Sequence, residues 1–269
     1  MVKGGIIMTS KYSITLNTAA SKNKPNTVVS KSEICPFCDD RKPLILQDGL
    51  MLEDRGEMFW VENKFPLLEN TYQTLIVETN KCGESLATYN LTYAQALFKF
   101  IFECRNKMLN MNKFKEVIFF KNHGVYSDSS ISHSHSQLVG LKEQSYSHSE
   151  IEESLNGPVV FENNNLRVTV SSIPRAEFYE FNVVWSKEHT DEEYVYWVQG
   201  LIKYLSIFKN GKFTSYNLVF HETSTENIIK VVPRKPNSIY YIGFGIRQTP
   251  NDIIQIAEEI KDFLGESFE

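Results

Sequence analysis

The chain has 269 residues, of which 42% are apolar and 13% aromatic, and its formal net charge is −5. This composition excludes an intrinsically disordered chain, and the negative charge argues against broad binding of nucleic acid or of an anionic membrane surface. No run approaches about 18 apolar residues, so no membrane-spanning helix is predicted. Four cysteines without a secretory signal predict reduced thiols or metal ligands in a cytoplasmic protein.

The first half of the chain is predicted to be an arm followed by an α+β unit. Residues 1–34 are polar and irregular around Pro25, which predicts an extended arm. Alternating and β-branched runs predict strands at 44–47, 58–61, 71–78, 117–121 and 137–141. Between the third and fourth of these, Thr92 and Gln95 form a capping box that predicts a helix to about Asn110. Its predicted apolar face consists of Ala94, Leu97, Phe98, Ile101 and Met108.

The second half repeats this order of elements after a polar stretch at 143–157. Strands are predicted at 159–161, 166–171, 177–185, 216–220, 228–232 and 239–246. A helix is expected at 191–208, and a last helix should begin with Thr249 as its cap and Pro250 at its first position. The predicted buried face of this last helix consists of Ile253, Ile256, Ala257, Ile260 and Leu264. Because strand, strand, helix, strand occurs twice, we predict a duplicated unit, each half a mostly antiparallel sheet with a packed helix.

The strongest chemical signal is Ser-Ile-Ser-His-Ser-His-Ser-Gln, which runs from Ser130 to Gln137 at the entry to an apolar strand. Alternate residues of an extended chain share one face, so His133, His135 and Gln137 should point to the same side. A solvent-facing polar edge is the alternative interpretation. Three functional side chains in register favour a site.

A second signal is the pair Cys35 and Cys38, spaced as C-x-x-C. Such a pair presents two thiolates to one tetrahedral ion, whereas a redox pair is the alternative. Carboxylates raise the pKa of a neighbouring thiol, so Asp39 and Asp40 favour the metal interpretation.

One C-x-x-C pair fills only half of a zinc shell, so two further ligands are needed. Cys104 lies near the apolar side of the predicted helix and is interpreted as a core residue. Cys82 lies in a turn just after a predicted strand, a usual place for a ligand. A closed, structural zinc site would then consist of Cys35, Cys38, Cys82 and His133.

The segments Phe120–Gly124 and Ser130–Gln137 together resemble the active-site strand of the galactose-1-phosphate uridylyltransferase family, which belongs to the histidine-triad superfamily. The order His-Ser-His-Ser-Gln is most similar to that of the ADP-sugar phosphorylase branch. Further segments resemble the family in the same order: Cys35–Cys38, Asn63–Pro66, Val77–Cys82, and more weakly Tyr216–His221 and Ile228–Arg234.

The resemblance implies two tandem histidine-triad-like units. We predict the arm at 1–34, a first unit at 35–145 with the zinc site and the nucleophile, and a second, degenerate unit at 146–269. It also implies a homodimer whose partner completes the sugar pocket.

The resemblance further implies that His135 is a nucleophile whose Nε2 attacks the α-phosphate of a nucleotide-sugar, expels sugar 1-phosphate and leaves a nucleotidyl-histidine. A sugar phosphate or inorganic phosphate then accepts the nucleotide. Gln137 and Ser130 would donate hydrogen bonds to the phosphoryl group. By family analogy, three residues would contact the nucleotide: Asn63, Phe65 and Asn122.

Gln137 favours transfer over hydrolysis, because an amide donates a hydrogen bond but cannot exchange a proton near pH 7. Two departures from the family keep alternatives open. Asp128 would repel phosphate unless it points outward, and Tyr240 or Tyr241 stands where transferases carry a sugar-binding Glu. The alternatives are a phosphorylase of ADP-sugars or dinucleoside polyphosphates, and a zinc-stabilised nucleotide-binding module that has lost catalysis.

Overall fold

The computed structural model describes residues 14–21, 25–28, 35–38, 41–146, 149–175, 178–188 and 192–265. Of the predicted arm, only two short stretches therefore fall within the described residues. They contain the helix α1 (Thr18–Ser21) and a single bridge between Leu16 and Leu68. Asp39 and Asp40 lie outside the described residues.

The described strands form one ten-stranded sheet in which the paired neighbours run antiparallel. They are β1 (Met51–Arg55), β2 (Met58–Glu62), β3 (Thr71–Val77), β4 (Glu116–His123), β5 (His135–Leu141), β6 (Val159–Glu162), β7 (Leu166–Val170), β8 (Phe181–Ser186), β9 (Ser215–Glu222) and β10 (Glu226–Arg234). The strand order is β1-β2-β3-β5-β4-β9-β10-β8-β7-β6.

The order shows an internal duplication. Strands 1-2-3-5-4 of the first half are matched by 6-7-8-10-9 of the second, and β4 pairs with β9 where the halves meet. The predicted α+β fold with two tandem units is therefore confirmed.

The remaining helices are α2 (Lys42–Gln47), α3 (Leu91–Asn110), α4 (Ser149–Glu153), α5 (Glu193–Leu205), α6 (Ile239–Phe244) and α7 (Ile253–Gly265). Three of them, α3, α5 and α7, pack on one face of the sheet and bury the main apolar core there. We call the opposite side the open face. Within the described residues, no helix combines the length and the apolar character that crossing a membrane requires.

Strand alternation assigns side chains to the two faces. Leu138 belongs to the main core, so His135 and Gln137, at odd positions of the same strand, point to the open face. Their register partners Val77 and Leu75 belong to a smaller apolar cluster on that face. The open face therefore carries the motif that the sequence singled out.

Two predicted strands are helices. At 44–47 the chain forms α2, because Pro43 lies in the first turn, where a missing N–H costs nothing. At 239–246 it forms α6, which begins at the Ser238 side-chain cap and ends at Gly245 in the left-handed conformation. Both flanking positions of β10 are already taken by β8 and β9, so no neighbouring edge remains for another strand there.

Helix starts and one strand also differ in detail from the prediction. The cap of α3 is Asn90, whose Oδ1 accepts from the Tyr93 amide, rather than Thr92. The helix α7 begins three residues after Pro250, and the Thr249 hydroxyl donates to the Ser172 carbonyl. The third strand of the second half is shorter than predicted and covers Phe181–Ser186. The predicted buried faces of α3 and α7 are confirmed, except that Ile253 is only partly buried.

Candidate active site and metal centre

Four side chains that are distant in sequence converge beside the start of β5. The ligand atoms of Cys35, Cys38, Cys82 and His133 all lie within 4.8 Å of one another. The Nδ1 atom of His133 is 3.3 Å from the Sγ atoms of Cys35 and Cys82 and 3.9 Å from that of Cys38. A tetrahedral zinc ion with bonds of roughly 2.0–2.3 Å separates its ligand atoms by about 3.5–3.8 Å. This cluster can hold a metal ion.

The outer contacts of the cluster orient its imidazole. His133 Nε2 lies 2.7 Å from the carbonyl oxygen of Thr79, so that nitrogen carries the proton and Nδ1 faces the thiols. Burial raises the pKa of the Cys35 thiol and that of the Cys82 thiol, and burial lowers the pKa of His133. Without a cation, Cys35, Cys82 and His133 are therefore neutral, and a bound divalent ion would supply the positive charge that thiolates require.

His135 is buried, with 6% of its surface exposed, and its ring is fixed by the backbone. The Nδ1 atom lies 2.8 Å from the carbonyl oxygen of His133, which assigns the proton to Nδ1 and leaves a lone pair on Nε2. Burial lowers the pKa of His135 to about 4, so the imidazole is neutral near pH 7. The ring of Phe37 lies 5.7 Å from that of His135 and 6.0 Å from that of His133.

A buried ion pair lies under His135, on the helix side of the sheet. Lys121 Nζ donates to both carboxylate oxygens of Glu78, at 2.9 and 3.0 Å, and to the carbonyl oxygen of His135 at 3.2 Å. Ser134 and Ser136, which alternate with the histidines, donate to the same carboxylate. Both sides of this short segment are thus held by specific contacts.

Burial alone would raise the pKa of Glu78. The positive charge of Lys121 and the hydrogen bonds from Ser136, Lys121 and Ser134 outweigh burial and hold the pKa of Glu78 below its usual value. The carboxylate is therefore ionised at neutral pH and balances the ammonium group.

Strand β5 separates two cavities on the open face. The first, which we call the outer pocket, has a volume of about 200 Å³ and is lined by Phe37 and Leu75 among others. The second, the central basin, measures about 490 Å³ and is lined by Phe120 and other residues of β4, β9 and β10. Gln137 pairs with Leu75 on one side and with Phe120 on the other, so it lies between the two cavities.

The predicted nucleotide-contacting residues are divided between these cavities. Asn63 and Phe65 line the outer pocket, where Asn63 Oδ1 accepts from the Phe65 amide at 2.9 Å. Asn122 lines the central basin instead, and its Oδ1 accepts from Asn217 at 2.7 Å.

The loop that leads to β5 carries Ser130 and Asp128. Ser130 is half-buried next to Ile131, a residue of the outer-pocket wall, and its carbonyl oxygen accepts from the Val28 amide. Asp128 is exposed, and its backbone carbonyl accepts from Asn122.

Gly124 fixes the start of that loop against β9. Its φ is +85°, and a Cβ atom there would lie 2.4 Å from Ser215 Oγ and 2.7 Å from the Thr214 carbonyl oxygen. Only glycine allows this backbone conformation and this approach together.

The sequence interpretation missed the buried pair of Lys121 and Glu78. Both residues lie in segments that resemble the family, Val77–Cys82 and Phe120–Gly124. Charged residues are ordinarily exposed, however, and the burial of these two depends on pairing across strands. It also missed Phe37, which lies between the two cysteines of the C-x-x-C pair and lines the outer pocket. An aromatic residue inside a metal-ligand pair was the available signal.

Comparisons with known proteins agree with this architecture. Two family models match the chain, the N-terminal domain of DUF4931, a domain of unknown function, at residues 16–144 and its C-terminal domain at 148–264. A crystal structure of a DUF4931 family protein from Bacillus cereus is 30% identical, covers 79% of this chain and 98% of its own, and superposes with a TM-score of 0.72. No protein among those with curated descriptions matches the sequence.

More distant structures share the fold. A GalT-like protein from Arabidopsis thaliana is 18% identical with a TM-score of 0.66, covering 86% of this chain and 92% of its own. An ADP-glucose phosphorylase from Arabidopsis thaliana, solved with bound ADP-glucose, is 17% identical with a TM-score of 0.66, covering 93% and 98%. The predicted resemblance to galactose-1-phosphate uridylyltransferase-like proteins is therefore confirmed for the fold.

Proposed function

This chain belongs to the DUF4931 family, and we propose that it transfers a nucleotidyl group from a nucleotide-sugar to a phosphate acceptor through a covalent intermediate on His135. The observation that carries the proposal is the orientation of that imidazole. Its Nδ1 proton is held by a backbone carbonyl, which leaves Nε2 unprotonated, and its ring lies 5.7 Å from that of Phe37, which lines the outer pocket. The distant structures with the same fold include a GalT-like protein and an ADP-glucose phosphorylase.

The proposed reaction needs no net proton transfer. The Nε2 lone pair of His135 attacks the α-phosphorus, and the bond from that phosphorus to the bridging oxygen breaks, so that sugar 1-phosphate leaves. An oxygen of the acceptor phosphate then attacks the same phosphorus, and the P–N bond breaks. Gln137 and Ser130 would donate hydrogen bonds to the phosphoryl oxygens.

The outer pocket is proposed to take the nucleoside. Phe37 and Phe65 offer apolar surface to a base, and Asn63 offers an amide with donor and acceptor atoms. Asn122 would contact the phosphoryl group or His135 from the side of the central basin.

The cluster of three cysteines and His133 is proposed to hold a structural zinc ion. A closed Cys3His shell leaves no position for substrate, so the ion would hold the start of β5 and take no part in the reaction. His133 precedes the nucleophile by two residues and would fix its backbone. A fixed backbone limits the movement of His135.

A homodimer is also proposed, and the helix α6 supports it. No residue of α6 is buried, although the helix is mostly apolar. Its side chains Ile239, Ile242 and Phe244 are 67%, 66% and 73% exposed. Contiguous exposed apolar surface of this kind is typical of interaction sites. A second copy of the chain would carry the same patch and could cover it by two-fold symmetry.

The decisive experiment measures the mass of the intact protein after incubation with UDP-sugars and with ADP-sugars at neutral pH. A mass increase of one UMP or AMP, absent in His135→Ala, is expected and names the base. The matched control is His123→Ala, because His123 stacks on buried Tyr216 and lies away from the open face. An adduct that persists in His135→Ala would overturn the assignment of the nucleophile.

A folded, zinc-loaded protein that forms no adduct with either donor class would refute the transferase proposal. The phosphorylase alternative uses the same nucleophile and differs in the acceptor. Inorganic phosphate that discharges the adduct as rapidly as a sugar phosphate would favour it.

A further inference from the structure

The central basin lies on the open face of the sheet, where the two halves of the chain meet. Its volume of about 490 Å³ is more than that of the outer pocket, and no residue of the proposed nucleoside contact lines it except Asn122. Strands from both halves supply its floor, because β4 of the first half pairs with β9 of the second.

Four basic residues line the basin, in a chain whose net charge is −5. Arg175, Arg234, Arg247 and Lys230 line it, and among the described lining residues the one carboxylate is Glu180. Glu180 accepts from Lys230 Nζ at 2.5 Å, and both side chains are 2% exposed. This pair neutralises itself, so the other basic side chains of the described lining are the three arginines.

One of these guanidinium groups has an unused donor. Arg234 is half-buried, and its terminal nitrogen donates to Asn237 Oδ1 at 2.9 Å. Its Nε is buried, and no acceptor lies within hydrogen-bonding distance among the described residues. An unsatisfied buried N–H group is costly, and an anion in the basin that reaches it would remove that cost.

The register places the basin in line with the proposed active site. Gln137 pairs with Phe120, Phe120 with Val219, and Val219 with Lys230, so these four residues form one row across four strands. Adjacent strands lie about 4.8 Å apart. The basin therefore begins one strand from Gln137 and reaches about 14 Å from it.

The internal duplication shows which residues of the second half are equivalent to the proposed active-site residues of the first. Phe120 and Val219 are the fifth residues of the equally long strands β4 and β9, and they pair with Gln137 and Lys230 respectively. Lys230 thus holds the position in the second half that Gln137 holds in the first. Two residues earlier, Ile228 takes the position of His135. The second half thus carries an aliphatic side chain in place of the imidazole, and a lysine paired with Glu180 in place of the amide.

We propose that the central basin is a second anion-binding site that takes a phosphoryl group, either as free inorganic phosphate or as the terminal phosphate of a longer ester. Planar guanidinium groups match the oxygens of phosphate in pairs. With Ile228 in place of the nucleophile, the basin binds the group and does not react with it. This binding does not depend on the nucleotidyl transfer proposed above.

The test is calorimetric titration of the full chain with inorganic phosphate and, separately, with methyl phosphate. Arg234→Gln and Arg247→Gln are each expected to weaken binding at least about tenfold, because each removes a charged hydrogen-bond donor. Arg247 is exposed, so its substitution should leave the fold intact. The matched control is Arg167→Gln, a half-buried arginine on β7 outside the basin, which should bind as the unmodified protein does.

The two probes distinguish the sources of the group. Tight binding of inorganic phosphate alone indicates a free phosphate site, and equal binding of methyl phosphate indicates the end of a longer ester. His135→Ala should bind both probes unchanged, so a failed nucleotidyl transfer does not affect this result. Phosphate binding that survives both basin substitutions but is lost in Asn63→Ala would place the anion in the outer pocket and overturn the proposal, as would no binding of either probe.

Discussion

The Nδ1 atom of His135 lies 2.8 Å from the backbone carbonyl oxygen of His133, so the proposed nucleophile is oriented by the residue that faces the three thiols. The same carbonyl belongs to a segment whose serines are bound by Glu78 and whose His135 carbonyl is bound by Lys121. Substitutions in the thiol cluster or in the ion pair should therefore alter the orientation of the His135 imidazole, although they do not change His135 itself.

The first prediction concerns the metal. Replacing Cys82 by Ser should lower the bound zinc and the melting temperature together, because a hard hydroxyl is a poor substitute for a thiolate and the ion would hold three separate segments. Metal content by mass spectrometry and thermal unfolding of the same preparation measure both quantities. Zinc that remains stoichiometric in this variant would show that Cys82 is not a ligand.

Cys104→Ser is the matched control for that experiment. Cys104 is fully buried on α3 within the main core and lies outside the thiol cluster. A hydroxyl placed there should lower the melting temperature, because a buried polar group is destabilising without a partner. The zinc content should stay unchanged. A loss of zinc from both variants would mean that zinc follows general stability rather than the ligand set.

The second prediction concerns the buried pair. Glu78→Gln leaves the Lys121 ammonium buried without a counter-charge, so the free energy of unfolding should fall by about 3–5 kcal/mol at pH 7. The control is Glu103→Gln, whose partner Arg55 and whose own side chain are each 36% exposed. That change should cost less than about 1 kcal/mol. Chemical denaturation measures both values, and equal losses would contradict the role assigned to burial.

The same variant has a predicted pH dependence. The pKa of Glu78 is held below its ordinary value in the folded protein, so this group stabilises the fold above its unfolded pKa of about 4.3. That contribution is lost as the pH falls through the folded pKa. The difference in unfolding free energy between the unmodified protein and Glu78→Gln should therefore be constant near pH 7 and shrink below about pH 4.3.

The sequence predicted those parts of the fold that depend on local periodicity. The apolar faces of α3 and α7 follow from residues three and four apart, and they are buried as predicted. The run at 239–246 could not be assigned in this way, since a β-branched run suits both a strand and an exposed short helix. Its caps and the two occupied sides of β10 decide the outcome, and the second of these depends on the whole sheet.

The candidate site also has a part that local sequence predicts and a part that depends on strand pairing. The approach of Cys82 to Cys35 could be predicted from its place in a turn after a strand and from the chemistry of thiols. The pairing of Glu78 with Lys121 could not, because it depends on the register between β3, β5 and β4. The central basin depends on the contact between β4 and β9, which joins residues about a hundred positions apart, and no local pattern carries that information.

The third prediction concerns the loop before β5. Gly124→Ala should lower the unfolding free energy by about 2 kcal/mol or more, because the added Cβ meets Ser215 Oγ and the Thr214 carbonyl and φ is +85°. Gly49→Ala separates the two causes. Gly49 has φ +68° but no atom within 4 Å of the added Cβ, so only about 1 kcal/mol is expected. Equal losses in the two variants would show that close approach to β9 contributes nothing.

The last prediction concerns the exposed helix α6 and the proposed homodimer. Phe244→Glu puts a charge into the apolar patch, and burying that charge against a second copy is costly. Light scattering coupled to size exclusion should show a dimer for the unmodified chain and a monomer for this variant. Because Phe244 is 73% exposed, the substitution should not destabilise the subunit itself. Any fall in melting temperature relative to the unmodified chain should therefore come from the loss of association.

Ile207→Glu is the control for the dimer, since Ile207 is 54% exposed just beyond the end of α5 and outside the patch. It should leave the dimer intact. Nucleotidyl-adduct formation should then be compared between the two variants. A partner that completes the site predicts slower adduct formation only in Phe244→Glu, whereas a monomeric unmodified chain would contradict the assignment of α6 to self-association.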